Sequence, residues 1–477
     1  MTSQQDRPNI VFITADQMRY DTINALGFPW MRTPHLDRLV QTGVSFERCY
    51  CSAAACVPSR ASLFNAVYPH SLNVYNNESP WGHSWIENFQ AAGYDTVSVG
   101  KMHTVPHDER CGFDQRLIVE NKDHPPRPAE PHGGFFDEWD KYLILQNITK
   151  PSRETYRATY PAYETALGAY EWSLDEDLHA DVFVGRMAEW FLQQRHAARP
   201  FFMKVGFPGP HPPYDPPDRV RRLYDDADIP IPTVTEEELA LQPPPHGNYR
   251  QEMIEGNHDA VRWQEHPSPD QLRRLRRYYA ANVTLIDEQV GRIVQALEAT
   301  GQLDNTIIVF LSDHGDCLGD HGHIQKWTMY EEVVRVPAIV WAPHLLPQGR
   351  RVDALVQHID LGPMLFELAG LPPLKTRAAQ SALPVVRGDS LGRDAVFAEQ
   401  GTERVLRDVS LMTMIRTRDW KLVHYLDQPW GELYDLNDDP AELRNLWHDT
   451  AYRDVRSQLT SDLLNWRIRD TLELTLW

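Results

Sequence analysis

Four apolar runs frame this chain: Ile10–Ile13, Thr96–Val99, Phe201–Val205 and Thr306–Leu311. They are nearly continuous and rich in β-branched and aromatic residues. They lack the strict alternation of a strand with one wet face. Such runs predict strands buried on both faces, as in a parallel sheet. Helical patterns lie between them, over 177–195 and 273–300, so the fold class is α/β. Each run is followed by a polar cluster. Asp16 follows the first and Gly100-Lys101-Met102-His103 the second. His211 follows the third and Asp313-His314-Gly315 the fourth. Open α/β sheets hold their sites beyond the carboxyl ends of the strands, so the four clusters are expected on one rim.

Pro-rich stretches interrupt this pattern. Residues 121–165 and 207–270 carry HPPRPAEP, GPHPPYDPP and LQPPPHGNY. They read as long irregular loops that shape an entrance or pack a homo-oligomer. After residue 375 the texture changes. Leu411–Arg416 and Trp420–Tyr425 predict two short strands, and Asp438-Asp439-Pro440 predicts a helix start at Ala441-Glu442-Leu443. The chain thus divides into an α/β domain over 1–375 and a small α+β subdomain over 376–477.

Composition changes this picture in two respects. The 477 residues, 42% hydrophobic and 24% charged, can bury a large core. The net charge of −20, from 47 basic and 67 acidic residues, excludes a general nucleic-acid or anionic-membrane binder. An enzyme of anionic esters would need a local cluster of cations. The five cysteines, Cys49, Cys51, Cys56, Cys111 and Cys317, form no zinc-type pair of pairs. Residues 1–9 are polar and no apolar run reaches membrane length. A reducing cytoplasm is the expected location.

The chemistry concentrates at Cys56-Val57-Pro58-Ser59-Arg60. Pro58 suits a first helical position, and Ala61 to Phe64 continue a helix. Cys56 would then sit at a helix N-terminus, which favours anions, with Arg60 about one turn on. A buried structural thiol is the plain alternative. A cysteine phosphatase needs five residues between Cys and Arg; here there are three, and Ser62 stands where that Arg should be.

Other blocks accompany this core: RPNIVFITADQMRYD, TPHLDRL, GYDTVSVGKMH, GPHPPY, NTIIVFLSDHGDCLGDHG with Lys326, and WGELYDLNDDPAELRNL. In order and spacing the chain resembles the formylglycine-dependent sulfatases of the alkaline phosphatase superfamily, near the arylsulfatase, choline sulfatase and phosphonate monoester hydrolase branch. The resemblance spans nearly the whole chain. It implies an α/β/α sandwich with a large, mostly parallel central sheet and a smaller C-terminal domain with a short antiparallel sheet. It also implies one divalent cation (Ca²⁺ favoured, Mn²⁺ or Mg²⁺ possible) and a formylglycine made from Cys56 by a formylglycine-generating maturation enzyme.

Residue by residue, the resemblance implies Asp16, Asp313, His314 and the modified Cys56 as metal ligands. Gln17 stands where many relatives have a second acid and would ligate through its carbonyl. Arg60, Lys101 and His103 match residues that hold the diol and the sulfate oxygens. His211, as general acid, and Lys326 match the leaving-group side, and Asn77 matches a substrate contact. There are departures. Asn65-Ala66 replaces the Thr-Gly that follows the core in many relatives. The Lys101–His103 pair, absent from the phosphonate branch, tilts the reading to sulfate esters. The leading expectation is hydrolysis of a small-molecule sulfate ester. A phosphonate monoester or phosphodiester hydrolase, and a non-catalytic binding protein with unmodified Cys56, are the alternatives. Trp81, Trp85, Trp139, Tyr142 and Trp327 would line an aryl or sugar pocket or fill the core. Asp320, His321 and His323 read as a shaped loop rather than a metal site.

Overall fold

A computed structural model describes residues 7–120, 122–123, 136–195 and 199–475. Its main sheet has nine strands. They are β1 (Asn9–Asp16), β2 (Val44–Tyr50), β3 (Asp95–Gly100), β4 (Gln115–Ile118), β5 (Phe201–Pro210), β6 (Thr306–Ser312), β7 (Arg335–Val336), β8 (Ala338–Trp341) and β9 (Arg350–Gln357). The order β4-β3-β5-β1-β6 is parallel throughout. β8 then adds antiparallel to β6 and to β2, and β9 runs parallel to β2. Every residue of β1, β5 and β6 is buried, which accounts for their unbroken apolar runs.

Helices Ala180–Gln194 and Pro269–Ala299 are among those flanking the sheet. The second begins at a capping box on Ser268, with Pro269 in the first turn. Its buried Asp287 accepts the Leu36 N–H at 2.7 Å, tying it to the helix after β1.

A second sheet is antiparallel: β10 (Ala395–Gly401), β11 (Leu411–Thr417), β12 (Trp420–Tyr425) and β13 (Gly431–Asp435). Alternation along it is clear. Met412, Met414 and Val423 enter the main core, whereas Ile415, Leu422 and Leu433 pack under the final helix, Arg453–Thr475, with Leu459 and Leu463. Buried Lys421 of β12 ties this sheet to the short helix before β7, 2.9 Å from Glu331, and to the turn after β13, 2.6 Å from Glu442.

Two local expectations fail. No helix begins at Ala441. The Asp439 carboxylate instead accepts the N–H groups of Leu443 and Arg444, and Glu442 turns left-handed to send its carboxylate to Lys421. LQPPPHGNY is not irregular. It opens the helix Pro244–Glu255, with Pro in the first turn where its missing N–H leaves no bond unmade. HPPRPAEP lies outside the described residues. The aromatic candidates are mostly core: Trp81, Trp85, Trp139 and Trp327 are all buried.

Candidate active site

The chain reaches Cys56 from β2 through Ala53-Ala54-Ala55, small enough to thread the core, and all three are fully buried. Ala55 is extended and the helix runs Cys56–Asn65. Pro58 therefore stands third rather than first in it, still within the turn that needs no N–H donor. Ala55 offers no side-chain cap; the Asn77 amide oxygen accepts the Val57 N–H at 3.0 Å and serves in its place. The helix ends on Ala66 in the left-handed region, φ 56°. The Ser59 hydroxyl donates to the Asp313 carbonyl at 2.6 Å, locking this helix to the end of β6.

The four strand-end clusters meet beside Cys56. Asp16 ends β1, and its Oδ2 lies 2.6 Å from Lys101 Nζ and 3.1 Å from the Arg60 guanidinium. Arg60 Nε donates to Asp313 Oδ2 at 2.8 Å, and its Nη1 to the Lys101 carbonyl at 3.0 Å. Burial works against the Asp16 carboxylate, but Lys101 and Arg60 outweigh it and hold Asp16 well below the usual range. Burial also opposes the Lys101 ammonium, and Asp16 more than restores it. Close backbone packing sets Lys101. Gly100 has φ 88°, and a Cβ there would meet the Gly206 carbonyl at 2.0 Å. From below, the buried Lys204 ammonium also reaches the Lys101 carbonyl. Burial, then Arg60, pulls Lys204 well below the usual lysine value.

Lys326 Nζ stands 3.0 Å from Cys56 Sγ and 2.9 Å from Gln17 Oε1. Burial pushes the Cys56 thiol up to about 12, with Asp16 adding to the rise. The histidines are oriented by carbonyls. His314 Nδ1–H donates to the Gly315 carbonyl at 3.0 Å, which leaves Nε2 bare and 3.1 Å from Sγ. His211 Nδ1–H donates to the Pro212 carbonyl at 2.8 Å, while Nε2 faces Asp259 at 3.4 Å. Burial, then Lys326, lowers His211 well below its ordinary value. His103 is left-handed, φ 59°, and its backbone N–H donates to Glu120 at 3.0 Å. Burial and then Lys101 depress its ring.

Donor atoms of Asp16, Cys56, Asp313 and His314 all lie within 4.8 Å of one another. Two carboxylate oxygens and a bare imidazole nitrogen suit a divalent cation of the Ca²⁺, Mg²⁺ or Mn²⁺ kind. The His314 tautomer, fixed by Gly315, is the one a metal requires. The residues present fit such an ion. By contrast, His321 turns to Glu238 at 2.8 Å and stacks on Tyr330 at 3.6 Å between ring centroids, outside this group.

Residues not singled out from sequence complete the surroundings. Asp316 binds the Gln17 amide at 2.6 Å. Glu403, beyond β10, accepts the Asn77 backbone N–H at 2.8 Å. His358 Nε2 lies 2.9 Å from the Ser59 hydroxyl. Asp316 stands two residues after His314 in the same polar block, a signal within reach of the sequence. Nothing in the sequence points to Glu403 or His358, which arrive from distant segments.

Comparison with known proteins agrees with this arrangement. The Sulfatase family model matches residues 8–371, and the model of the N-sulphoglucosamine sulphohydrolase C-terminal region matches 319–469. An arylsulfatase of Clostridium perfringens is 29% identical, covering 94% of this chain and 92% of its own. A choline-sulfatase of Rhizobium meliloti is also 29% identical, covering 94% and 86%. The crystal structure of a phosphonate monoester hydrolase of Agrobacterium radiobacter superimposes with a TM-score of 0.79 at 26% identity, covering 97% of this chain and 96% of its own. With three quarters of its length in one family model and its strand-end residues gathered around Cys56, the chain belongs to the sulfatase family, a family of sulfuric ester hydrolases.

Proposed function

We propose that this protein hydrolyses small-molecule sulfate esters through a formylglycine made from Cys56. One observation carries the reading. Position 56, at a buried helix N-terminus, lies among Asp16, Asp313 and His314, with Arg60, Lys101 and Lys326 packed around them. The thiol itself, pushed up to about 12 by burial, is a poor nucleophile, which favours a nucleophile other than the thiol at this position. The hydrated aldehyde supplies two hydroxyls, one to bond sulfur and one whose deprotonation expels sulfate. Asp16, Asp313 and His314 would hold a divalent cation, Ca²⁺ by family preference, whose chemistry is to polarise a sulfate oxygen and acidify the diol. Gln17 was expected on the same ion through its carbonyl.

The remaining roles follow from position and charge. Arg60 and Lys101 would face the equatorial sulfate oxygens, each contributing on the order of 10²–10³ in rate. His211 would donate to the departing alcohol from Nε2 as the imidazolium, a form that its Nδ1–H bond to Pro212 and the Asp259 carboxylate favour, with Lys326 beside it. His103 would accept the second diol proton. Asn77 fixes the nucleophile helix through Val57 and would contact the substrate.

The TM-score of 0.79 to a phosphonate monoester hydrolase supports a second reading, phosphonate monoester cleavage on the same scaffold. The test is the mass of the tryptic peptide Cys49–Arg60 from protein made with and without a formylglycine-generating enzyme. Rates on an aryl sulfate and an aryl phosphonate are measured alongside. Conversion at Cys56 with faster sulfate turnover, lost in Cys56→Ala, is expected. A fully active Cys56→Ala protein, or a fully converted protein inert to sulfate esters, overturns the reading.

A further inference from the structure

Asp316 is fully buried, and among the described residues its carboxylate bonds no cation; Arg19 donates only to its backbone carbonyl, at 2.8 Å. Its two oxygens are used differently. Oδ1 accepts two backbone N–H groups, Leu318 at 3.0 Å and Gln325 at 2.8 Å. Oδ2 accepts the Gln17 amide Nε2–H at 2.6 Å and the Tyr214 hydroxyl at 2.7 Å. One carboxylate thus ties together the turn after β1, the segment after β5 that carries His211, and the loop that carries Lys326.

A carboxylate only accepts. It therefore fixes the Gln17 amide with its NH₂ toward Asp316 and its oxygen toward Lys326, where Oε1 accepts the ammonium at 2.9 Å. Lys326 in turn stands 3.0 Å from Cys56 Sγ. The backbone around these links is held in an unfavourable region. Gln17, Gln325 and Trp327 have φ of 68°, 65° and 68°, and none is glycine. Left-handed backbone at such residues costs about 1–2 kcal/mol each and persists only where the surroundings enforce it. Two of the three flank Lys326 directly, and Asp316 holds the N–H of one of them.

We propose that Asp316 is a positioning residue for the sulfatase reaction. It aims the Lys326 ammonium at the nucleophile position, both through the Gln325 backbone and through the Gln17 amide. Gln17 belongs to this relay rather than to the cation. The inference rests on the sulfatase reading for what Lys326 does at the leaving-group oxygen. The relay itself rests on the donor–acceptor order Asp316, Gln17, Lys326.

That order gives a sharp test. In Asp316→Asn the carbonyl oxygen stays with the two backbone N–H groups, so an NH₂ faces the Gln17 NH₂. The Gln17 amide must flip and present a donor to Lys326, also a donor. In the double variant Gln17→Glu/Asp316→Asn the order is restored: the Asn NH₂ donates to one Glu oxygen, and the other accepts Lys326. Each protein is prepared with Cys56 converted and checked by peptide mass. kcat and KM are measured over a series of esters of graded leaving-group pKa. Ca²⁺ and Mn²⁺ affinity is measured by calorimetry.

The expected result is a kcat loss of about 10²-fold in Asp316→Asn and in Gln17→Leu, with KM nearly unchanged and the loss steepest for poor leaving groups. The double variant recovers to within about tenfold of the parent, and cation affinity is the same in the parent, Asp316→Asn and Gln17→Leu. Parent-like kcat in Asp316→Asn, or a double variant no better than Asp316→Asn, overturns the relay. So does a loss of cation affinity in Gln17→Leu with leaving-group dependence unchanged, which would put Gln17 on the ion. If Asp316→Asn does not fold, Gln17→Leu and the double variant decide the matter. The relay is read as a ratio to the parent on whichever ester, sulfate or phosphonate, the parent cleaves. Failure of the sulfate reading is therefore visible separately, and a parent inert on both overturns the two together.

Discussion

Replacing Arg60 by methionine tests whether the site is held by its charge network. Arg60 is 0% exposed and bonds Asp313, Asp16 and the Lys101 carbonyl at 2.8, 3.1 and 3.0 Å. Methionine fills most of the volume but removes all three bonds. Asp16 keeps Lys101, while Asp313 keeps only the backbone N–H groups of Gln17 and His314, at 3.0 Å each, on its other oxygen. Breaking a buried pair by removing one partner costs about 3–5 kcal/mol. Unfolding entropy near 2.1 cal/mol/K per residue over 477 residues is about 1 kcal/mol/K, so melting in chelator should fall by ~3–5 °C. A divalent cation would neutralise the same carboxylates, so adding Ca²⁺ should narrow the gap. Arg60→Lys should recover little, because a point charge cannot fork between two carboxylates. Scanning calorimetry of parent and variant, with chelator and with excess Ca²⁺, reads all three effects. An Arg60→Met protein melting within about 1 °C of the parent in chelator would refute the reasoning. So would a gap that widens with Ca²⁺.

Two further measurements probe the frame. Ala66 ends the nucleophile helix with φ 56°. Ala66→Gly should stabilise the protein by about 1 kcal/mol with turnover unchanged, and a lower melting temperature would show that the Ala66 methyl group is needed for packing. His70 bridges Glu399 at 2.7 Å and Asp470, on the final helix, at 2.5 Å. Burial lowers His70, but Asp470 and Glu399 outweigh it and leave it raised above 6.5. That contribution is complete below pH 6.5 and is lost as pH rises through the folded value. Burial raises Asp470, but His70 holds it below 3.8, and its contribution is lost as pH falls past that value. The melting gap between parent and His70→Asn should therefore be widest between pH 3.8 and 6.5. A gap that grows above pH 7 would contradict the bridge.

The strand ends were legible because a parallel sheet buried on both faces leaves its apolar signature in consecutive residues. Asp16, Lys101, His211 and Asp313 follow such runs immediately, so adjacency in sequence carried them to the rim. What stayed hidden depends on approach between distant segments. Glu403 reaches Asn77 across 326 residues, and no local pattern reports it. The Ala441 helix was misread for a related reason. Asp-Asp-Pro is a start signal only if the next residues are free to coil, and here a buried lysine claims Glu442. The orientation of Gln17 was equally out of reach, because it is decided by what faces the amide. Asp316 and Lys326 come from beyond β6, about 300 residues away.

The net charge of −20 and an anionic substrate are compatible because they act at different distances. Exposed charges are screened within about 8–10 Å at physiological salt. Arg60, Lys101, Lys326, Asp16 and Asp313 are each no more than 4% exposed, where a pair at contact interacts several-fold more strongly than in bulk water. Among them the carboxylates are already spoken for: Asp16 by Lys101 and Arg60, Asp313 by Arg60. Among the described residues Lys326 bonds no carboxylate. Its partners are a neutral amide oxygen and position 56, so its charge is left available to an incoming oxyanion. Occupation of the Asp16–Asp313–His314 pocket by a divalent cation would add to that surplus by relieving the same two carboxylates. The local field that draws in a sulfate monoester therefore needs no favourable charge on the rest of the protein. The surface charge sets only how the encounter rate changes with salt.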